Sequence, residues 1–253
     1  MGDCCFKDKA AIITGAGSGL GLLCAQQLAA QGCAVAMVDI DGTAVTAQAQ
    51  ALSSQGFKAL ALPTDVTNYD QVEKACAKTA ETFGGLDIVI SCAGGSCIRI
   101  RKADPKAAFW QVPIEVYDWG LDVNMKGPFY LAHAAMGLMK DHGGVIINLG
   151  SVTGAEGSAS SVAYATAKSG VMAGLTKSLA LAGAPYGIRA CCVTPGPVLT
   201  RPGMAGMKTL LGRSAQPQEV VDLILYLASD RAAFITGTDY RIDGGRLIMK
   251  NKK

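Results

Sequence analysis

Short apolar runs alternate with stretches of helical pattern along almost the whole chain, and this alternation restricts the fold more than any other feature. The apolar runs are residues 10–13, "AVAMVD", "KALALPTDV", "LDIVISCAG", "GVIINLGSV", "IRACCVTPG" and "TDYRIDGG". Between them, apolar residues recur at helical spacing, as at Leu20, Leu23, Cys24 and Leu28. The longer helical stretches are "VYDWGLDVNMKGPFYLAHAAMGLMKDH", read as one helix despite its Gly and Pro, and "SVAYATAKSGVMAGLTKSLALAGA". Strands this apolar are buried on both faces. The pattern therefore predicts an α/β fold in which a parallel sheet is covered by helices on both sides. No linker, repeat or composition shift interrupts the 253 residues, so a single domain over 1–253 is expected. Residues 96–115 and 200–217 break the alternation. They are long connections, and each is either a binding lid or plain surface chain.

The composition excludes several functions. The formal net charge is only +3, from 23 basic and 20 acidic residues. The one basic cluster is the tail Lys250-Asn251-Lys252-Lys253, which reads as a frayed terminus, so a nucleic-acid partner is not expected. No apolar run suits a membrane span, and the N-terminus lacks the layout of a signal peptide. These features predict a cytoplasmic protein with no membrane partner. Nine cysteines occur, but Cys4-Cys5 and Cys191-Cys192 are adjacent, no CxxC is present, and there are only two histidines, His133 and His142. Free, mostly buried thiols are expected, and no metal site.

The first strand runs into Thr14-Gly15-Ala16-Gly17-Ser18-Gly19-Leu20-Gly21, of the form T-G-x-x-x-G-x-G. Glycines between a strand and a helix let the backbone approach a pyrophosphate, and the helix N-terminus favours its charge. Asp39 ends the second strand 18 residues after Gly21. Dinucleotide-binding folds place an acidic residue there, on the adenosine ribose. Its carboxylate would repel a 2′-phosphate, and neither Ser18 nor Ile40 offers a cation to hold one, so NAD is favoured over NADP. A turn cap beside Asp41-Gly42 is the plainer role for Asp39. Asp65 with Val66, and Cys92-Ala93-Gly94, follow the third and fourth strands, at the edge where open sheets bind ligands. Asp65 could instead cap the next helix.

Ser151 follows "GVIINLG" at the same edge. Asn124 sits within a helical stretch, where it forms helix poorly. Tyr164 and Lys168, four residues apart, share one helix face. Each alone has an ordinary structural role as cap, core polar group, ring filler or surface charge. Together, Thr14-Gly15-x3-Gly19-x-Gly21, Asp65, Ala93-Gly94, Asn124, Ser151, Tyr164-x3-Lys168 and Pro195-Gly196 have the order and spacing of the short-chain dehydrogenase/reductase family, which the chain resembles as far as Asp243-Gly244-Gly245.

The resemblance implies a Rossmann-type, doubly wound sheet of about seven strands, a nicotinamide cofactor, an alcohol or ketone substrate, and a homotetramer or homodimer. It implies that Tyr164 is the general acid/base, assisted by the positive charges of Lys168 and of the oxidised cofactor. By the same resemblance Ser151 holds the substrate oxygen, Asn124 holds a water that links Lys168 to solvent, and Lys168 binds the nicotinamide ribose. Pro195, Gly196, Val198 and Thr200 are expected beside the nicotinamide. Gly95, Ser96, Thr153 and Pro197 are the expected substrate walls, with Trp110 and Met204 as apolar lids. The chain departs from the family pattern at Ser91-Cys92, where Asn-Asn is usual, and at Cys191, often Asn. Its 96–115 connection looks longer than usual and its 200–217 loop shorter. Alternatives on the same scaffold are an NADP-dependent ketone reductase, a non-catalytic dinucleotide sensor, and an epimerase or dehydratase.

Overall fold

The computed structural model describes residues 6–250, so Cys4, Cys5 and the tail beyond Lys250 lie outside the described residues. Its elements are β1 (Ala10–Thr14), α1 (Gly19–Ala30), β2 (Ala34–Asp39), α2 (Gly42–Ser54), β3 (Ala59–Pro63), α3 (Tyr69–Phe83) and β4 (Ile88–Ser91). Then come α4 (Cys97–Ile100), α5 (Ile114–Leu121), α6 (Gly127–Met139), β5 (Gly144–Leu149), α7 (Val152–Glu156), α8 (Val162–Gly170), α9 (Thr176–Gly183), β6 (Ile188–Pro195), α10 (Pro217–Ala228) and β7 (Asp239–Ile242). All seven strands form one parallel sheet in the order β3-β2-β1-β4-β5-β6-β7. The chain winds outward from β1 in one direction and from β4 in the other. The loops after those two strands therefore part and open a crevice at the carboxyl edge.

Adjacent residues of each central strand feed opposite faces of the sheet. Ile12 joins Val38, Val89 and Ile146 under α3, α6 and α9 (Val72, Leu131, Leu179). Ile13 joins Met37, Ile90 and Ile147 under α1 and α10 (Leu28, Val221, Ile224). All of these side chains are buried. Burial of one such side chain contributes about 1.5–3 kcal/mol, which explains why the central strands read as unbroken apolar runs.

The two long helices predicted from the pattern each contain a π-helical turn. α5 continues through Asp122–Lys126 into α6, with the Gly127 N–H reaching back five residues to the Asp122 carbonyl. α8 continues through Val171–Leu175 into α9. The first turn absorbs Gly127-Pro128 without ending the helix, and π-turns of this kind often mark functional positions. The 96–115 connection is less bare than predicted, because it forms α4 and a 3₁₀ turn, Phe109–Gln111. Among the described residues, no helix is long and apolar enough to cross a membrane. The seven described cysteines are unpaired, and all but Cys92 are buried. Burial pushes the thiols of Cys33, Cys76 and Cys192 up to about 12, out of the reactive range.

Candidate active site

The Gly-rich turn fits a pyrophosphate. Gly15 has φ +67°, and a Cβ on it would stand 2.9 Å from the Ala93 nitrogen. A Cβ on Gly21 would run into the Gly15 carbonyl oxygen, whereas Gly19, at φ +57°, faces open space. Ser18 makes no side-chain capping bond to α1, and no acidic residue occupies the first turn. The N-terminus of α1 thus keeps its partial positive charge for an anion. Thr14 is buried and accepts a hydrogen bond from the Ala93 N–H (3.1 Å), joining the two loops at the switch point.

A groove of about 620 Å³ runs from this turn, lined by Gly15, Ser18, Gly19, Leu20, Gly21, Asp39, Ile40, Asp65, Val66, Cys92, Ala93 and Gly94, with Tyr164 and Thr200 at its far end. Asp39 accepts from the Gly17 N–H (2.9 Å) and the Asp41 N–H (3.0 Å). It does not cap α2. Asp41 does, accepting from the Ala44 N–H. Asp65 does not cap α3 either; it holds Thr67 through its backbone and hydroxyl (2.9 and 2.7 Å), and Asn68 is the cap. The helix-cap roles are thus taken by neighbours, while Asp39 does make the turn bond to the Asp41 N–H that its plainer reading expected, beside its bond to Gly17. Cys92 turns toward α1. The buried Cys24 thiol there is raised well above its ordinary range, first by its hydrogen bond to Cys92 and then by burial.

The groove opens into a cavity of about 380 Å³, lined by Gly95, Ser96, Ser151, Thr153, Tyr164, Lys168, Pro195, Gly196, Pro197, Val198 and Thr200. Ser151 caps α7 directly after β5. Its Oγ accepts from the Thr153 N–H at 3.2 Å, which leaves the hydroxyl hydrogen to donate elsewhere. Lys168 is buried in α8; its Nζ donates to the Leu149 carbonyl at 2.7 Å and lies 5.8 Å from the Tyr164 ring centre. Ala163, Ala165 and Ala167 are buried, so α8 packs closely on α5 and α7 while Tyr164 stays half-exposed to the cavity.

Asn124, in the first π-turn, lines neither space. It is buried, accepts from the Gly95 N–H (2.9 Å), and donates to the carbonyls of Gly95 (3.0 Å) and Gly120 (2.9 Å). Both amide hydrogens are thereby used, and one acceptor position on Oδ1 remains for a water. It braces Gly94 and Gly95, whose φ values of +147° and +148° only glycine adopts readily. Thr14 and Gly17 are likewise braces behind the groove.

Met204 lines the cavity, but Trp110 does not. Trp110 is 83% exposed, and its place beside the groove is taken by Trp119 of α5. A loop tryptophan invites a lid reading, yet the 3₁₀ turn at 109–111 packs through Phe109, whose ring lies 5.3 Å from that of Tyr117. Sequence reasoning also missed Arg99, Ile100 and Arg201 beside the groove, and Arg201 and Met207 in the cavity. The available signal was a cation soon after β4 and another soon after β6, Arg99 and Arg201, at the carboxyl edge of the sheet.

This is the fold and site of a dinucleotide-linked oxidoreductase. A family model described as "Enoyl-(Acyl carrier protein) reductase" matches residues 15–246. Trans-4-hydroxycyclohexanecarboxylate dehydrogenase of Sinomonas cyclohexanicum is 39% identical, over 96% of this chain and 95% of its own. The cis-4-hydroxycyclohexanecarboxylate dehydrogenase of the same organism is 36% identical, over 95% and 97%. A crystal structure of a short-chain type dehydrogenase/reductase from Mycobacterium marinum superposes with a TM-score of 0.86 at 34% identity, covering 95% of this chain and 96% of that one. The chain belongs to the short-chain dehydrogenase/reductase family and is an NAD(P)-linked oxidoreductase acting on CH–OH groups.

Proposed function

We propose that this enzyme is an NAD-dependent dehydrogenase of a cyclic secondary alcohol, interconverting it with the ring ketone. The observation that carries the reading is the convergence of Ser151 and Tyr164 on one cavity that continues the nucleotide groove, with Lys168 buried behind the phenol. When bound, the nicotinamide accepts the hydride in oxidation and returns it in reduction. Ser151 donates its free hydroxyl hydrogen to the substrate oxygen and orients the carbinol. Tyr164 Oη takes the hydroxyl proton. The Lys168 ammonium, fixed in place by the Leu149 carbonyl, sets a positive charge behind the phenol as it exchanges its proton. Asn124 holds the Gly94–Gly95 turn and, through its remaining acceptor, a water on the proton path from Lys168.

A ring substrate suits the cavity. Its walls combine Val152, Met204 and Met207 with the hydroxyls of Ser96, Ser158 and Ser161, and about 380 Å³ holds a small cyclic alcohol. Two relatives act on ring alcohols of opposite configuration. NAD is preferred because Asp39 and the exposed Ile40 flank the adenosine end, while the cations beside the groove, Arg99 and Arg201, follow β4 and β6 instead. Exposed apolar side chains such as Phe129 on α6 and Leu181 on α9 support a homo-oligomer, a tetramer or dimer. The unpaired thiols suit the reducing cytoplasm. Cofactor reduction, followed by the absorbance of the reduced nicotinamide, with cyclohexanol and open-chain secondary alcohols, each with NAD and NADP, tests the reading. NAD reduction that is faster with the ring alcohol supports it. Absence of reduction with every alcohol, and of oxidation with every ketone, overturns it.

A further inference from the structure

Charge is distributed unevenly in the catalytic cavity. Its lining holds two cationic side chains, Lys168 and Arg201, and no Asp or Glu. Lys168 is occupied by the Leu149 carbonyl and stands behind Tyr164. Arg201 is exposed, follows β6 just after Thr200, and borders both the cavity and the end of the nucleotide groove. Three other arginines have hydrogen-bond or ion-pair partners: Arg189 donates to the carbonyls of Leu227 and Ile235, Arg213 is paired with Glu219, and Arg246 with Glu156; Arg99 and Arg241 have none among the described residues, but neither lines the cavity. Among the described residues, Arg201 has no such partner. Met204 and Met207 line the same cavity and add apolar surface to it.

We infer that Arg201 is the anion anchor of the substrate site, and that the alcohol oxidised at Ser151 and Tyr164 carries a carboxylate at the far side of its apolar ring. The inference rests on the alcohol dehydrogenase reading above and deepens it. A guanidinium presents two parallel N–H donors that match a carboxylate. Bound there, the carboxylate sets which ring carbon faces Tyr164, so Arg201 determines specificity and takes no part in proton transfer. Because Arg201 also borders the groove, the cofactor diphosphate would be a second anion it could meet, and the test separates the two.

Calorimetric titration of the NADH-loaded enzyme with cyclohexanecarboxylate and, separately, with cyclohexanol provides a readout that does not depend on turnover. Arg201→Gln should weaken carboxylate binding about tenfold or more, the range of a charge-assisted hydrogen bond at a partly wet site. Cyclohexanol binding and the Kd for NADH should stay unchanged. Arg201→Lys should restore part of the carboxylate affinity, because charge returns without the fork. In wild type, carboxylate affinity should fall with added salt while cyclohexanol affinity does not. Unaltered carboxylate binding in Arg201→Gln overturns the inference. So does an equal loss for both ring compounds, and so does a loss confined to NADH, which would assign Arg201 to the diphosphate. Arg201-dependent carboxylate binding in an enzyme that oxidises no alcohol would leave the anchor standing and refute the dehydrogenase reading alone.

Discussion

Asn124→Ala tests whether this residue is first a clamp. The variant removes one acceptor and two donors from a fully buried position and leaves the Gly95 N–H, the Gly95 carbonyl and the Gly120 carbonyl without their partner. A buried polar group left unpaired costs about 1–3 kcal/mol. Gly95 borders both spaces and can recruit water from them, so its two groups fall at or below the low end; Gly120 is buried and cannot. The expected loss is therefore about 2–4 kcal/mol. For a domain of this size each kcal/mol lowers Tm by about 2–4 °C, so a fall of about 5–15 °C is expected in a thermal melt. Asn124→Asp keeps the acceptor but sets a carboxylate against two carbonyls, and should be less stable still. Turnover should drop in both, because the Gly94–Gly95 turn forms a wall of the site. An alanine variant that melts like wild type while kcat collapses would refute the clamp and leave Asn124 as a relay group only.

Other predictions concern the chemistry, the cofactor and the loop. Tyr164→Phe keeps the ring and removes the proton carrier, so kcat should fall by roughly 10²–10⁴ with the Kd for NAD unchanged; near-normal turnover would remove Tyr164 from the mechanism. Asp39→Ala combined with Ile40→Arg should shift kcat/KM from NAD toward NADP, and a wild type already preferring NADP would show that Asp39 does not select the cofactor. In amide hydrogen exchange, residues 201–207 should gain protection only when NAD and a substrate analogue are bound. Leu211 and Ala215, whose N–H groups bond to the carbonyls of Gly244 and Pro197, should be protected in both states. Equal protection throughout 201–215 without ligand would contradict a lid.

The features legible in the sequence are those with a physical requirement at a single position. Central strands must be apolar on both faces, so β1, β4 and β5 stand out. The turn after β1 needs glycine at Gly15 and Gly21 because backbone atoms occupy the space a Cβ would take. The Tyr164–Lys168 spacing places both groups on one helix face. The π-turns were not legible, since one added residue in a long helix is lost in an average over 3.6-residue periods. Asn124 stands out in the sequence as a poor helix former, but its three hydrogen bonds depend on where α5 passes the β4 loop. The same limit explains Trp110 and Trp119. Two tryptophans nine positions apart differ little in pattern, and only the path of 96–115 decides which one faces the groove. The loop at 200–217 reads as uniformly Gly- and Met-rich, yet its second half is tied down by Ser214 donating to the Met204 carbonyl and Thr209 to the Arg213 carbonyl.

The two charge selections follow strands far apart in the sheet. Asp39 ends β2 and Arg201 follows β6, four strand positions away in the observed order. At about 4.8 Å per strand, roughly 19 Å separates them, more than twice the screening length of about 8 Å at physiological salt. Cofactor choice and substrate charge should therefore be adjustable separately. In Asp39→Ala with Arg201→Gln, the change in NAD discrimination and the loss of carboxylate affinity should each equal the single-variant value within about 0.3–0.5 kcal/mol. The measurement is a double-variant cycle on kcat/KM for NAD and NADP, together with calorimetric Kd values for cyclohexanecarboxylate. A coupling above about 1 kcal/mol would mean that one element touches both ends. The 201–207 segment, which borders groove and cavity alike, would then be the place to look.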